Sequence, residues 1–145
     1  MNKSIELKFS KEQKVPVFSY VENEIEELGQ WDLRVQVKAI SLNPVDYKVA
    51  SGIVSEKDES KTLGWDVAGV VVAIGSDVKN FSVGDEVFYA GDITRLGGNT
   101  KLHNIDSRIV GKKPKSLSFE DSAAMPLTTL TAYEGLFDGL KVDPD

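Results

Sequence analysis

Apolar and polar residues alternate along much of the first two thirds of this chain, the two-residue period of strands that bury one face. Ile5, Leu7 and Phe9 alternate with Glu6 and Lys8, and Leu33, Val35, Val37 and Ala39 alternate with Asp32, Arg34, Gln36 and Lys38. Residues 63–90, LGWDVAGVVVAIGSDVKNFSVGDEVFYA, form a nearly unbroken β-forming run bent by glycines at 69, 75 and 84. Strands are expected at Val67–Ile74 and Glu86–Tyr89, joined through Gly-Ser-Asp and Val-Gly-Asp turns. In the second turn Gly84 permits a positive φ and Asp85 closes the loop through its own side chain. A further strand is expected around Leu102–Val110, after the glycines at 97–98.

Helical signals interrupt this pattern twice. Between Leu42 and Gly52, Asn43 suits an N-cap, Pro44 the first helical position and Gly52 the end, which predicts a helix of roughly two turns. Ser118 and Asp121 form a variant capping box for a helix over Phe119–Met125. Pro126 then opens a second helix to about Asp138, capped by Gly139, with Met125, Leu127, Leu130 and Leu136 at near-helical spacing as core positions. No repeat or low-complexity segment is present. The fold class is mainly β with appended α-helices, a small, partly open barrel with the helices at one end.

Composition narrows the function classes. The 145 residues suffice for one ordinary core. A formal charge of -6 disfavours nucleic acid and anionic membrane surfaces as partners. With no cysteine, the chain has no disulfide, thiolate zinc ligand or cysteine nucleophile. Val67–Ile74, the longest apolar run, is far short of the ~20 residues of a membrane helix, and MNKSIELKFS lacks a signal-peptide core. The expectation is a soluble, cytoplasmic protein.

Four motifs occur in order: L-N-P-V-D-Y-K at 42–48, G-W-D-V-A-G-V-V at 64–71, G-S-D-V-x-x-F-x-V-G-D-E-V-F at 75–88, and P-L-T-x-L-T-A-Y-E at 126–134. Together they resemble the medium-chain dehydrogenase/reductases, in the zinc-type alcohol dehydrogenase-like and quinone oxidoreductase branch. The resemblance implies that residues 1–138 are a GroES-like catalytic domain, and that 139–145 are a truncated connection to a missing dinucleotide-binding Rossmann domain. It implies an NAD(P)H-dependent oxidoreductase acting on a quinone, enone, aldehyde or alcohol. NADPH or NADH would be held mainly by the missing domain, since no G-x-G-x-x-G occurs here. Residues 1–145 alone are then expected to be inactive, and the complete protein to be a possible homodimer.

Carried over by position, the catalytic zinc ligands of this branch fall on Asn43, Trp65 and Leu127. None is a thiolate, imidazole or carboxylate, so no zinc is expected. Asp66 is a lone carboxylate beside them, and His103, the single imidazole, is expected at a surface or strand edge. Without a metal, hydrogen-bond donors must stabilise charge on the substrate oxygen, and Asn43 and Tyr47 are the catalytic candidates. The resemblance places their shared helix face beside the nicotinamide, which makes Asn43 a cofactor contact as well. Each has a structural alternative, Asn43 as a cap and Tyr47 as packing. Thr131, with Thr128 a weaker companion, resembles the family position whose hydroxyl meets the nicotinamide ribose; back-bonding to the helix is its alternative. Trp65 and Tyr89 are candidates for the substrate pocket or for core filling. Asp46 and Lys48 are expected in surface pairs.

The pattern departs from the family at Asn99-Thr100-Lys101-Leu102, where relatives commonly carry Ala-Glu-Tyr, so the closure of the barrel there is open. A non-enzymatic GroES-like interaction module is the alternative function. It needs a mobile apolar hook, which the polar segment Ser55–Lys61 does not supply. An oligonucleotide-binding barrel needs interleaved basic and aromatic residues, against which the acidic balance speaks.

Overall fold

The structure, a computed structural model, describes residues 1–10, 15–52 and 60–143. Most of Ser55–Lys61 and the last two residues of the terminal KVDPD lie outside the described residues. Two antiparallel sheets make up the body. The smaller has the order β2-β1-β4, from β1 (Asn2–Ser10), β2 (Val15–Asn23) and β4 (Lys61–Thr62). The larger has the order β7-β3-β5-β6-β8, from β3 (Asp32–Ser41), β5 (Asp66–Ile74), β6 (Glu86–Ala90), β7 (Leu102–Asp106) and β8 (Gly111–Lys112). Among the described residues the sheets do not close into a full barrel, in keeping with the partly open form expected.

The period-two reading holds in β3. Leu33 and Val35 are buried, while Gln36 and Lys38 face solvent. Leu33, Val35, Val67, Val71, Val87, Tyr89 and Ile105 fill one core, each large side chain contributing about 1.5–3 kcal/mol on burial. The register of β3 on β5 shifts at Arg34/Val35 and again at Val37/Ala39, irregularities that bend this wall. A second core gathers Leu7, Leu63 and Trp65 from the sheet side against Val49 and Ala50.

Segment 97–101, where the family pattern is lost, straps the two sheets together through its backbone. Ile5 N donates to Asn99 O at 2.8 Å and Lys101 N to Lys3 O at 2.9 Å, while Val37 N donates to Lys101 O at 3.0 Å. These bonds need no particular side chain, so the departure in sequence leaves the strap intact.

The helices follow their caps more closely than their lengths. α1 (Pro44–Ala50) begins after Asn43 and is followed by Gly52 at φ 78. α2 (Phe119–Ala123) starts where Ser118 Oγ accepts from Asp121 N at 3.0 Å, and it lies over β3 and β5. α3 (Pro126–Tyr133) runs into a π-helical turn at Glu134–Gly139. Three expectations are corrected here. The left-handed residue past this helix is Lys141, φ 55, not Gly139. Met125, Leu130 and Leu136 are 38%, 50% and 45% exposed rather than core, because α3 has only one side on the sheet, against β5 and β6. The strand expected to Val110 ends at Asp106, whose carboxylate accepts from Arg108 N and turns the chain into a 3-10 helix, Ser107–Ile109.

Candidate active site

α1, the start of β5 and the N-terminus of α3 meet around one buried carboxylate. Asp66, fully buried, accepts from Asn43 Nδ2 on Oδ2 and from Leu127 N on Oδ1, both at 2.8 Å. Because a carboxylate only accepts, the amide of Asn43 must turn its NH2 toward Asp66, which holds one of its two protons. Burial pushes the Asp66 carboxyl above the usual range, and the two hydrogen bonds oppose that push. Neighbouring Asp46 adds to the rise.

Asp46 is itself buried rather than in the surface pair expected. Its Oδ2 accepts from Asn43 N and its Oδ1 from Gly64 N, both at 2.9 Å. The i+3 carboxylate thus reaches back over the N-cap, half of a capping box, and also ties α1 to the strand entering the site. Two buried carboxylates therefore grip Asn43, one by its backbone and one by its side chain. Sequence reasoning set both aside. The signal was there for Asp66, a charged residue inside the apolar run G-W-D-V-A-G-V-V, since a buried polar group is more informative than an exposed apolar one.

The other candidates scatter. Tyr47 is 72% exposed on α1, so its ring does not pack. It does not share the buried position of Asn43, because Asn43 stands at the N-cap with extended backbone rather than within the helix. Thr128 and Thr131 lie exposed on α3, three residues apart. Thr131 Oγ1 donates to Leu127 O at 2.9 Å, and Thr128 Oγ1 to Ala124 O at 3.2 Å, which leaves their lone pairs for an outside donor. Trp65, 2% exposed, belongs to the second core, and its Nε1 donates to Asp92 O at 3.2 Å. Tyr89 belongs to the first core and is likewise 2% exposed.

His103 corrects the surface expectation. It lies on an edge strand, β7, yet is buried, with Nε2 at 2.9 Å from Leu96 O and Nδ1 at 2.9 Å from Tyr89 Oη. A carbonyl cannot donate, so Nε2 carries the proton and Nδ1 accepts from the phenol. Burial pushes the imidazole down to about 4 and raises the phenol well above its ordinary value. Tyr89→Phe is expected to leave Nδ1 without a donor and cost about 1–2 kcal/mol, measured by urea denaturation at pH 7.

The donor set does not suit zinc. Asn43 spends an N–H on Asp66, Trp65 donates its indole N–H, and Leu127 offers an apolar side chain. Among the described residues no three His, Cys, Asp or Glu side chains gather as a metal site. Nor is any helix among them long and apolar enough to cross a membrane.

Residues 29–126 match the family of the alcohol dehydrogenase GroES-like domain. The chain belongs to that family. This GroES-like domain is 43% identical over 111 residues to a zinc-type alcohol dehydrogenase-like protein of Staphylococcus aureus (strain COL), covering 77% of this chain and 33% of that protein. It is 38% identical over 122 residues to a 2-methylene-furan-3-one reductase of Solanum lycopersicum, covering 77% and 31%. Its fold superposes on the quinone oxidoreductase of Escherichia coli, solved in complex with NADPH, with a TM-score of 0.78 at 28% identity, over 99% of this chain and 43% of that one. The domain spans about a third of the length of the first two relatives. The placement in the zinc-type alcohol dehydrogenase-like and quinone oxidoreductase branch is borne out.

Proposed function

We propose that this GroES-like domain is the substrate side of an NAD(P)H-dependent oxidoreductase that reduces a quinone, an enone or a small aldehyde without zinc. The observation that carries this reading is the hydrogen bond that the buried Asp66 takes from Asn43, the residue on which the resemblance places one of the family's metal ligands. A nicotinamide, bound mainly by a further domain, would supply the hydride. As negative charge grows on the substrate oxygen, the second N–H of Asn43 donates to it, and the exposed Tyr47 hydroxyl would reach it as a second donor only if its side chain turns toward the substrate. Thr131 and Thr128 offer acceptor oxygens to the cofactor's sugar hydroxyls. The NADPH complex of the Escherichia coli relative supports a nicotinamide cofactor, and the names of the relatives support quinone and enone carbonyls.

In the complete protein, Asn43→Ala is expected to lower kcat for NADPH-dependent reduction of 1,4-benzoquinone about 100-fold, the usual cost of losing one oxyanion donor. Elemental analysis of the same preparation is expected to find no stoichiometric zinc. Zinc that tracks activity across preparations refutes the metal-free mechanism, and wild-type kcat in the alanine variant refutes the role of Asn43.

A further inference from the structure

We propose that Asp66 is a positioning residue that aligns the oxygen-polarising amide with the cofactor-side helix, a role that rests on the reading above. α3 begins with two residues that cannot cap it. Met125 makes no side-chain cap bond, and Pro126 has no N–H, so the N–H of Leu127 is the first in the helix that needs an acceptor. Asp66 Oδ1 supplies it from β5, across 61 residues of sequence. Its other oxygen holds the Asn43 amide across 23 residues. One carboxylate, fully buried and without a cationic partner among the described residues, thereby fixes two groups that no local sequence links.

The arrangement also sets which way Asn43 points. A free amide can rotate by half a turn and present oxygen or NH2 with little penalty. Facing a carboxylate it cannot, since oxygen against oxygen is repulsive. Asp66 therefore selects the rotamer with an N–H toward the ligand. The Oδ1 bond to α3 holds the helix bearing Thr128 and Thr131 in the same frame. The negative charge suits this task better than an amide, because both of its oxygens accept and both of its neighbours donate.

The test is a double-mutant cycle on kcat in the complete enzyme, with 1,4-benzoquinone and NADPH. Asp66→Asn keeps the shape but offers one acceptor to two donors. Alone it is expected to lower kcat about 100-fold, the scale of a misplaced catalytic group, with KM for NADPH changed less than about threefold. Combined with Asn43→Ala it is expected to cost no more than about threefold further, the small part that passes through α3 rather than through the Asn43 side chain. Additive losses, or an Asp66→Asn enzyme within about twofold of wild type, overturn the proposal. Unchanged kcat in Asn43→Ala overturns the functional reading and this role with it. Where Asp66→Asn lowers yield of folded enzyme, wild-type protein labelled with ¹⁵N decides. The Asn43 side chain is expected to show one downfield, slowly exchanging amide proton and one ordinary one. Two equivalent, rapidly exchanging protons overturn the proposal.

Discussion

Lowering the pH from 7 to 4 is expected to cost this domain about 3 kcal/mol through His103 alone. The imidazole is held down to about 4 against an ordinary 6.5, chiefly by burial; its hydrogen bond with Leu96 pulls the other way. Nearby Arg95 lowers it further and Asp32 raises it. The unfolded chain takes up a proton near pH 6.5, whereas the folded chain resists until about 4. Between those values the unfolded state binds more protons, so stability is fully present above about 6.5 and is lost as pH falls toward 4. Protonation also reverses the local bond, because Nδ1 then carries a hydrogen and the Tyr89 phenol must turn from donating to accepting.

Urea titrations at half-unit pH steps check this. Wild type is expected to show uptake of about one extra proton on unfolding in that window relative to His103→Gln, and a flat difference between the two sinks the assignment. Asp85, Asp92 and Asp106, whose carboxyls are held below the usual range by hydrogen bonds from Ser82, Thr94 and Arg108, act below this window. The difference between the variants isolates the histidine.

Gly75→Ala is expected to destabilise the domain by about 3 kcal/mol, a fall in Tm of about 10 °C. A methyl group there lands on the backbone carbonyls of Gly29 and Gln30, which cannot swing aside as a flexible side chain can. Those carbonyls are already committed. Gly29 O accepts from Asp32 N at 3.0 Å, Gln30 O from Asp77 N at 2.9 Å, and Gly75 N itself donates to Asp32 O at 2.8 Å. Two turns are locked face to face, so the whole junction must part to admit one carbon.

Gly84→Ala is the control. Its φ is +96, but nothing lies within 4 Å of an added Cβ, so only the backbone penalty of about 1 kcal/mol applies. Thermal melts of the two variants separate crowding from conformation, and equal losses would show that the junction at Gly75 is loose.

Much of the scaffold was legible because its signals are local. The Leu33–Ala39 alternation, the Ser118 cap and the Gly84 turn each depend on residues within a few positions of one another. β2 was not legible. Val15, Val17, Phe18 and Tyr20 are all exposed, apolar residues occur on both faces, and Pro16 sits in an edge strand, where proline is tolerated. Its pairing with β1 decides that it is a strand, and pairing is not written in its own pattern. The exposure of Leu130 and Leu136 was hidden for a similar reason. Helical spacing shows that apolar residues share a face, but not whether anything in this chain covers it.

The candidate site divides along the same line. Asn43, Trp65 and Leu127 in place of metal ligands, the absence of cysteine and the single histidine were all decided by residue identity, because zinc chemistry needs particular donor atoms whatever the fold. The tertiary structure alone decided that Asp66 and Asp46 are buried, that both grip Asn43, and that His103 is neutral behind Tyr89. A carboxylate is ordinary on the surface and consequential in the interior. Which of the two it becomes depends on partners that the chain brings in from 23 and 61 residues away.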